Sequence, residues 1–223
     1  MLLPFLLQEN LTLSPIEQTS LLQPPFSLEP LLARYPGRRR RLLEPIYHQM
    51  LAEAQQLVRP QQLQRAFPVA DLPILAGCLP GVESIVLALC TLGPQLDARI
   101  SSLFKEDPVA SVVLDEIGTL WIRAVAQQLH QDLSKQARAA GLRTTPSYRP
   151  GIGRWPLELQ AKLFRYLPAA DIGLSLLSET VMVPPKSISM IVGIGLRPGR
   201  PCYAPEQPAA TPLQTQLLQG NSL

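Results

Sequence analysis

The stretch from Val109 to Ala140 constrains the fold more than any other. Val113, Ile117, Leu120 and Ala124 recur at helical spacing, and Ile122, Val125, Leu129 and Leu133 carry the pattern on along a slightly rotated stripe. Asp107-Pro108 reads as an N-cap followed by a proline in the first turn, and Gly141 stands where a C′ glycine closes a helix. A long helix with one apolar stripe must be covered along its length. "DLPILAGC" (71–78) and "SIVLALCTLG" (84–93) are nearly continuous in apolar residues and read as strands buried on both faces.

The remaining elements are shorter. "RRRRLLEPIYHQMLAEAQQLV" follows a turn at Pro36-Gly37 and reads as a helix, with Leu42 or Leu43, Ile46, Met50, Ala54 and Leu57 near one face. "QLDARISSLFKED" gives a short helix, and a further helix spans about Pro156 to Leu167, with Leu159, Leu163, Phe164 and Leu167 turned inward. "DIGLSLLSETVMV" is a strand and turn, and "SISMIVGIGL" another strand. The order of elements predicts an α+β domain. Residues 1–30, rich in Leu, Pro and Gln, form an N-terminal arm; 31–197 is the folded body; 198–223 has the composition of a disordered tail.

Composition narrows the functional classes. A net charge of +3 is too small and too dispersed for a typical nucleic-acid binder of 223 residues. The only dense cluster, Arg38 to Arg41, reads first as a solvated helix start, although four cations there oppose the helix dipole and suit an acidic contact. Cys78, Cys90 and Cys202 share no metal-ligand spacing, and Cys78 and Cys90 read as buried apolar residues. His48 and His130 have no carboxylate or thiol partner at a recognisable spacing. The opening "MLLPFLLQENLTLSP" lacks the basic start and cleavage site of a signal peptide, and no apolar run reaches membrane-span length. The expectation is a cytoplasmic protein, with neither membrane nor nucleic acid as partner.

"RPGIGRWPLELQ" (149–160) is the most unusual stretch. Gly151 and Gly153 allow positive φ or close approach of a ligand to the backbone. Pro150 and Pro156 fix the entrance and exit, and Trp155 offers a flat apolar surface. Amides freed at the start of the following helix could hold a carboxylate or phosphate. The spacing matches neither a phosphate-binding Walker loop nor a Rossmann fingerprint. On these grounds the loop is equally a connector or a ligand cradle.

"PGIGRWPLELQAKLF", then "IGLSLLSETVMVPPKSISMIVGIG", resembles the activation domain of cobalamin-dependent methionine synthase, and most of all its stand-alone versions. Their pattern is roughly Arg-x-Ser-Pro-Gly-Tyr-Gly-x-Trp-Pro-Leu-x-x-Gln, then Leu-Thr-Glu-Ser, then Met-x-Pro-x-Lys-Ser. Upstream, "LLARYPG", "LAGC" and "LALCTLGPQLDARI" are similar to stretches of those proteins in the same order. The resemblance covers about residues 28–196. It implies a twisted antiparallel sheet flanked by helices, with S-adenosylmethionine held in a groove and presented to a corrinoid. That cobalamin is carried by a partner: a corrinoid protein or a methionine synthase lacking its own activation domain, reduced by a flavodoxin-like electron donor. Such a component positions a methyl donor and supplies no acid–base group.

The resemblance implies cofactor-binding roles for Arg149, Pro150, Gly151, Ile152, Gly153, Trp155, Glu179, Lys186 and Ser187, with Arg149 acting through its carbonyl. It also exposes departures. The family's ligand-holding arginine falls on Ser147 and its corrin-facing tyrosine on Ile152. The Leu-Thr-Glu-Ser segment reads Leu177-Ser178-Glu179-Thr180. An acidic position on the long helix, facing the ligand's ammonium, lands on Arg123 or Gln127. Losing two charge-assisted contacts weakens binding about a hundredfold, a loss that Arg143, Arg149 or Arg154 could offset. The alternative is a diverged relative that has lost the ligand and works as a protein-interaction module.

Overall fold

The structure is a computed structural model and describes residues 11–12, 26–75 and 77–199. The rest of the N-terminal arm, Cys202 and the tail lie outside these residues. The elements run β1 (Leu11–Thr12), α1 (Glu29–Leu32), α2 (Arg38–Leu57), β2 (Gln61–Pro68), β3 (Ser84–Thr91), α3 (Pro94–Glu106), α4 (Pro108–Ala139), β4 (Arg143–Thr144), α5 (Leu159–Tyr166), β5 (Ser175–Leu177), β6 (Val181–Val183) and β7 (Ser187–Gly195).

Five strands form an antiparallel sheet in the order β1-β2-β3-β7-β4, and β5 and β6 make a separate hairpin. All eight residues of β3 are buried, because both faces of the sheet are covered. Val86, Ala88 and Cys90 turn towards α1 to α4, together with Met190, Val192 and Ile194 of β7. Ile85, Leu87, Leu89 and Ile191 turn the other way, towards Trp155, Leu159, Leu163 and the turns carrying Leu72 and Leu75. The mixed α+β architecture, an antiparallel sheet flanked by helices, is as the sequence predicts.

Helix α4 keeps both of its predicted ends. The Asp107 carboxylate accepts from the Val109 and Ala110 amides at 3.1 and 3.0 Å. Gly141 takes φ +75°, and the Leu142 amide reaches back to the Ala137 carbonyl at 2.8 Å. The arginine cluster has a fold-level use: Arg40 grips Glu29 with two 2.8 Å bonds and docks α1 on α2. His130 Nε2 lies 2.8 Å from the Thr145 carbonyl, tying α4 to the segment that leads into the 149–157 loop.

Three expectations are corrected. The strand read at 71–78 is a 3-10 turn (Val69–Asp71) followed by further turns. Leu72 and Leu75 of that stretch, and Leu79 just after it, are buried without any sheet pairing. The real strand lies just before it. β2, "QQLQRAFP", pairs along its whole length with β3, buries Leu63 and Phe67 and leaves Arg65 exposed. The helix read from Pro156 starts at Leu159, after turns in which Leu159 and Gln160 donate to the Pro156 and Leu157 carbonyls. Those bonds use the amides that an anion at the helix start would have needed. Cys90 is fully buried, with burial pushing its thiol up to about 12, whereas Cys78 is only half-buried.

Candidate ligand cleft

The outer flank of β7 is only half covered. β4 pairs with it at Gly195 and Ile194, and Tyr148 bridges to Ile191, but among the described residues no strand lies beside Ser187–Met190 there. Ile191 exchanges both main-chain bonds with Tyr148, and Gly193 bonds to Thr145, so odd-numbered residues of β7 point away from β3. By the same alternation the Ser189 N–H and C=O face the uncovered flank.

A cleft of about 320 Å³ opens at that point. Thr119, Ile122 and Arg123 of α4 form one side. Arg149, Pro150, Ile152 and Leu157 of the loop, with Gln160 of α5, form another. Thr180 and Met182 of the hairpin and Pro185 to Ser189 complete it. The volume is at the low end of the range for small-molecule sites, and the lining mixes apolar walls with a few polar groups, as such sites do.

The loop is held from behind. Trp155 is buried and stacks on Tyr148, with ring centroids 4.9 Å apart. The Gly151 amide donates to the Trp155 carbonyl at 2.8 Å, and the Ile152 amide to the Arg149 carbonyl at 3.2 Å. Gly151 has φ +79°, and a β-carbon there would meet Leu157 Cδ1 at 3.0 Å. Gly153 also has positive φ, with open space beside it. Of the nine residues implied by the resemblance, Arg149, Pro150, Ile152, Lys186 and Ser187 line the cleft. Gly151, Gly153 and Trp155 shape the loop behind it. Glu179 is exposed at the hairpin tip with φ +62°, and its neighbour Thr180 reaches the cleft instead.

The two candidate basic groups differ sharply. Lys186 Nζ donates to Asp115 at 2.6 Å, its stem lies against Gly118, and its amide donates to Asp97 at 3.2 Å. Ser187 Oγ is hydrogen-bonded to the Pro184 carbonyl and the Thr91 hydroxyl. Arg149 is half-buried and has no ion pair among the described residues. Burial, and then the nearby Arg123, hold its pKa below the usual guanidinium range. Arg143 and Arg154 do not line the cleft, so among the three cations weighed from sequence the structure brings only Arg149 there. Arg123 lies on the cleft, whereas Gln127 does not.

Sequence reading missed Gln160 and Ser189. Ser189 Oγ donates to Gln160 Oε1 at 2.8 Å, and Gln160 Nε2 is buried without a partner among the described residues, as is Ser147 Oγ. An unmade bond of this kind costs about 1–3 kcal/mol. The signals available were the glutamine that closes the quoted motif, at Gln160, and the alternation of serines in "SISM". Ile152 and Leu157 of the cleft lining are exposed, and on the β5–β6 hairpin Leu177, Val181 and Val183, which alternate with the cleft-lining Met182, are exposed too, with Leu177 at 62%.

No protein-family model matches the chain, and no curated protein matches it. Among solved structures it is similar to the crystal structure of the MetH reactivation domain bound to AdoHcy, with a TM-score of 0.59 at 16% identity. The match covers 88% of this chain and 80% of that one. The fold is therefore that of the reactivation domain. Among the described residues, no helix is long and apolar enough to cross a membrane.

Proposed function

Proceeding from a reactivation-domain fold, we propose that this chain binds S-adenosylmethionine, or its demethylated thioether product, in the cleft. It holds the ligand towards a corrinoid carried by a separate cytoplasmic methyltransferase, such as a methionine synthase lacking its own activation domain. A flavodoxin-like protein is the electron donor. The corrinoid, when present, supplies the nucleophile that accepts the methyl group. This chain supplies the rest by position. Arg149 offers a guanidinium for the ligand's carboxylate. Ile122, Pro150, Leu157 and Met182 give apolar contact for the nucleoside and thio groups. Thr119 and the Ser189 main chain offer hydrogen bonds, and the exposed apolar residues of the loop and hairpin give the partner a surface.

One observation carries this reading: segments far apart in sequence, 149–152, 180–182 and 186–189, converge on a single cleft. Titration calorimetry with S-adenosylmethionine tests it. Saturable binding between micromolar and sub-millimolar concentrations is the expected outcome, and a flat titration at millimolar ligand would remove it.

The exposed rim favours a second reading, an interaction module that no longer binds the ligand. In that case the titration is flat, while a Leu177→Lys change still abolishes capture of a corrinoid-binding methyltransferase.

A further inference from the structure

Among the described residues, three cations line the cleft and no carboxylate does. Lys186 is neutralised by Asp115. Arg123 and Arg149 have no acidic partner within ion-pair distance among the described residues. Two guanidiniums therefore line one small, partly apolar hollow, Arg149 half-buried and Arg123 exposed at its edge. An unpaired charge in such a place is unfavourable, and a nearby carboxylate is the usual remedy. Here the long helix instead places a second cation, Arg123, on the cleft. A concave cleft with low-dielectric walls focuses that positive field and separates ligands that differ by one charge.

The two forms of the proposed ligand differ in that way. Both carry a carboxylate and an ammonium, but the sulfur is a cation in the methylated form and neutral in the demethylated form. Resting on the reading above, we propose that this cleft binds the neutral thioether more tightly than the sulfonium, with Arg149 taking the carboxylate and Arg123 setting the preference. Methyl transfer then relieves a repulsion. The sulfur–methyl bond breaks, its electron pair stays on sulfur, and the acceptor's electron pair makes the new bond to carbon. The positive charge at sulfur fades along that path, so the arginines favour the later state over the earlier one. The thioether, once formed, stays bound and blocks the next sulfonium, which makes the chain responsive to the ratio of the two.

Calorimetry on the full chain with S-adenosylmethionine and S-adenosylhomocysteine, each at low and high salt, tests this. The thioether should bind about fivefold or more tightly at low salt, and the gap should narrow as salt rises. Arg123→Glu, on the exposed side of α4, should close or invert the gap. Arg149→Gln should weaken both ligands about tenfold. Equal or tighter binding of the sulfonium by the unchanged protein, or a ratio indifferent to Arg123→Glu, overturns the preference and leaves the ligand reading intact. Binding of neither ligand overturns both.

Discussion

On the β7 side of the cleft, the side chains of Lys186, Ser187 and Ser189 all have partners inside the protein. On the loop side, Arg149 has no ionic partner, while Ser147 Oγ and Gln160 Nε2 are buried with no partner at all among the described residues. The difference teaches which polar groups serve folding and which are left over. Lys186 joins the start of β7 to α3 through Asp97 and to α4 through Asp115. Removing it should loosen the body. The Arg149 side chain makes no ion pair among the described residues and should be nearly dispensable for stability. The resemblance implies a role for Lys186 as a matching residue and for Arg149 through its carbonyl alone; geometry instead puts the Arg149 side chain on the cleft and ties the Lys186 side chain into the fold.

The largest expected effect comes from removing what backs the loop side. Trp155→Ala empties a buried site and should cost about 3–5 kcal/mol by chemical denaturation. A loss under about 1 kcal/mol would mean that the loop is placed by something else. Gly151→Ala forces a β-carbon into positive φ beside Leu157 and should cost about 1–2 kcal/mol. Lys186→Met keeps the stem over Gly118 but leaves Asp115 alone. Because Asp115 is half exposed, about 1 kcal/mol is expected, with an unchanged denaturant slope. Arg149→Gln should change stability by less than about 0.5 kcal/mol while weakening ligand binding, a split that would confirm the contrast most directly.

The smallest effect is a pH dependence. Burial raises the carboxyl pKa of Asp97. The folded protein therefore holds that proton more tightly than the unfolded chain does. The stabilisation is complete below the unfolded value of about 4 and is lost as pH rises through the higher folded value. Subtracting the melting curves of Asp97→Asn from those of the unchanged protein should isolate this slope. Its absence would mean that Asp97 is better solvated than its position under the Lys186 amide suggests.

Much of the frame was legible because local signals and packing agree. Asp107, Pro108 and Gly141 mark α4 by chemistry that acts within one turn, and the apolar run of β3 matches a strand buried on both faces. β2 was illegible for the opposite reason. Its glutamines and arginine hide a strand whose stability comes from pairing with β3, not from its own pattern. The apolar stretch after it looks like a strand because leucines that anchor successive turns also produce a hydrophobic run. At the cleft, the glycines and prolines announced a special loop. That Trp155 faces the core while Arg149 faces the hollow depends on the Tyr148–Ile191 bridge, a contact between residues 43 positions apart.

The uncovered flank of β7 has one more consequence. A row of free main-chain groups at a sheet edge is a template on which a strand from another molecule can form. The 149–157 loop and the β5–β6 hairpin line the cleft at Ser189 and stand in the way of such a strand. Any change that lifts the loop exposes a nucleus for edge-to-edge assembly. The first symptom of damage at this corner would then be concentration-dependent turbidity, and whatever fills the hollow doubles as a solubilising agent.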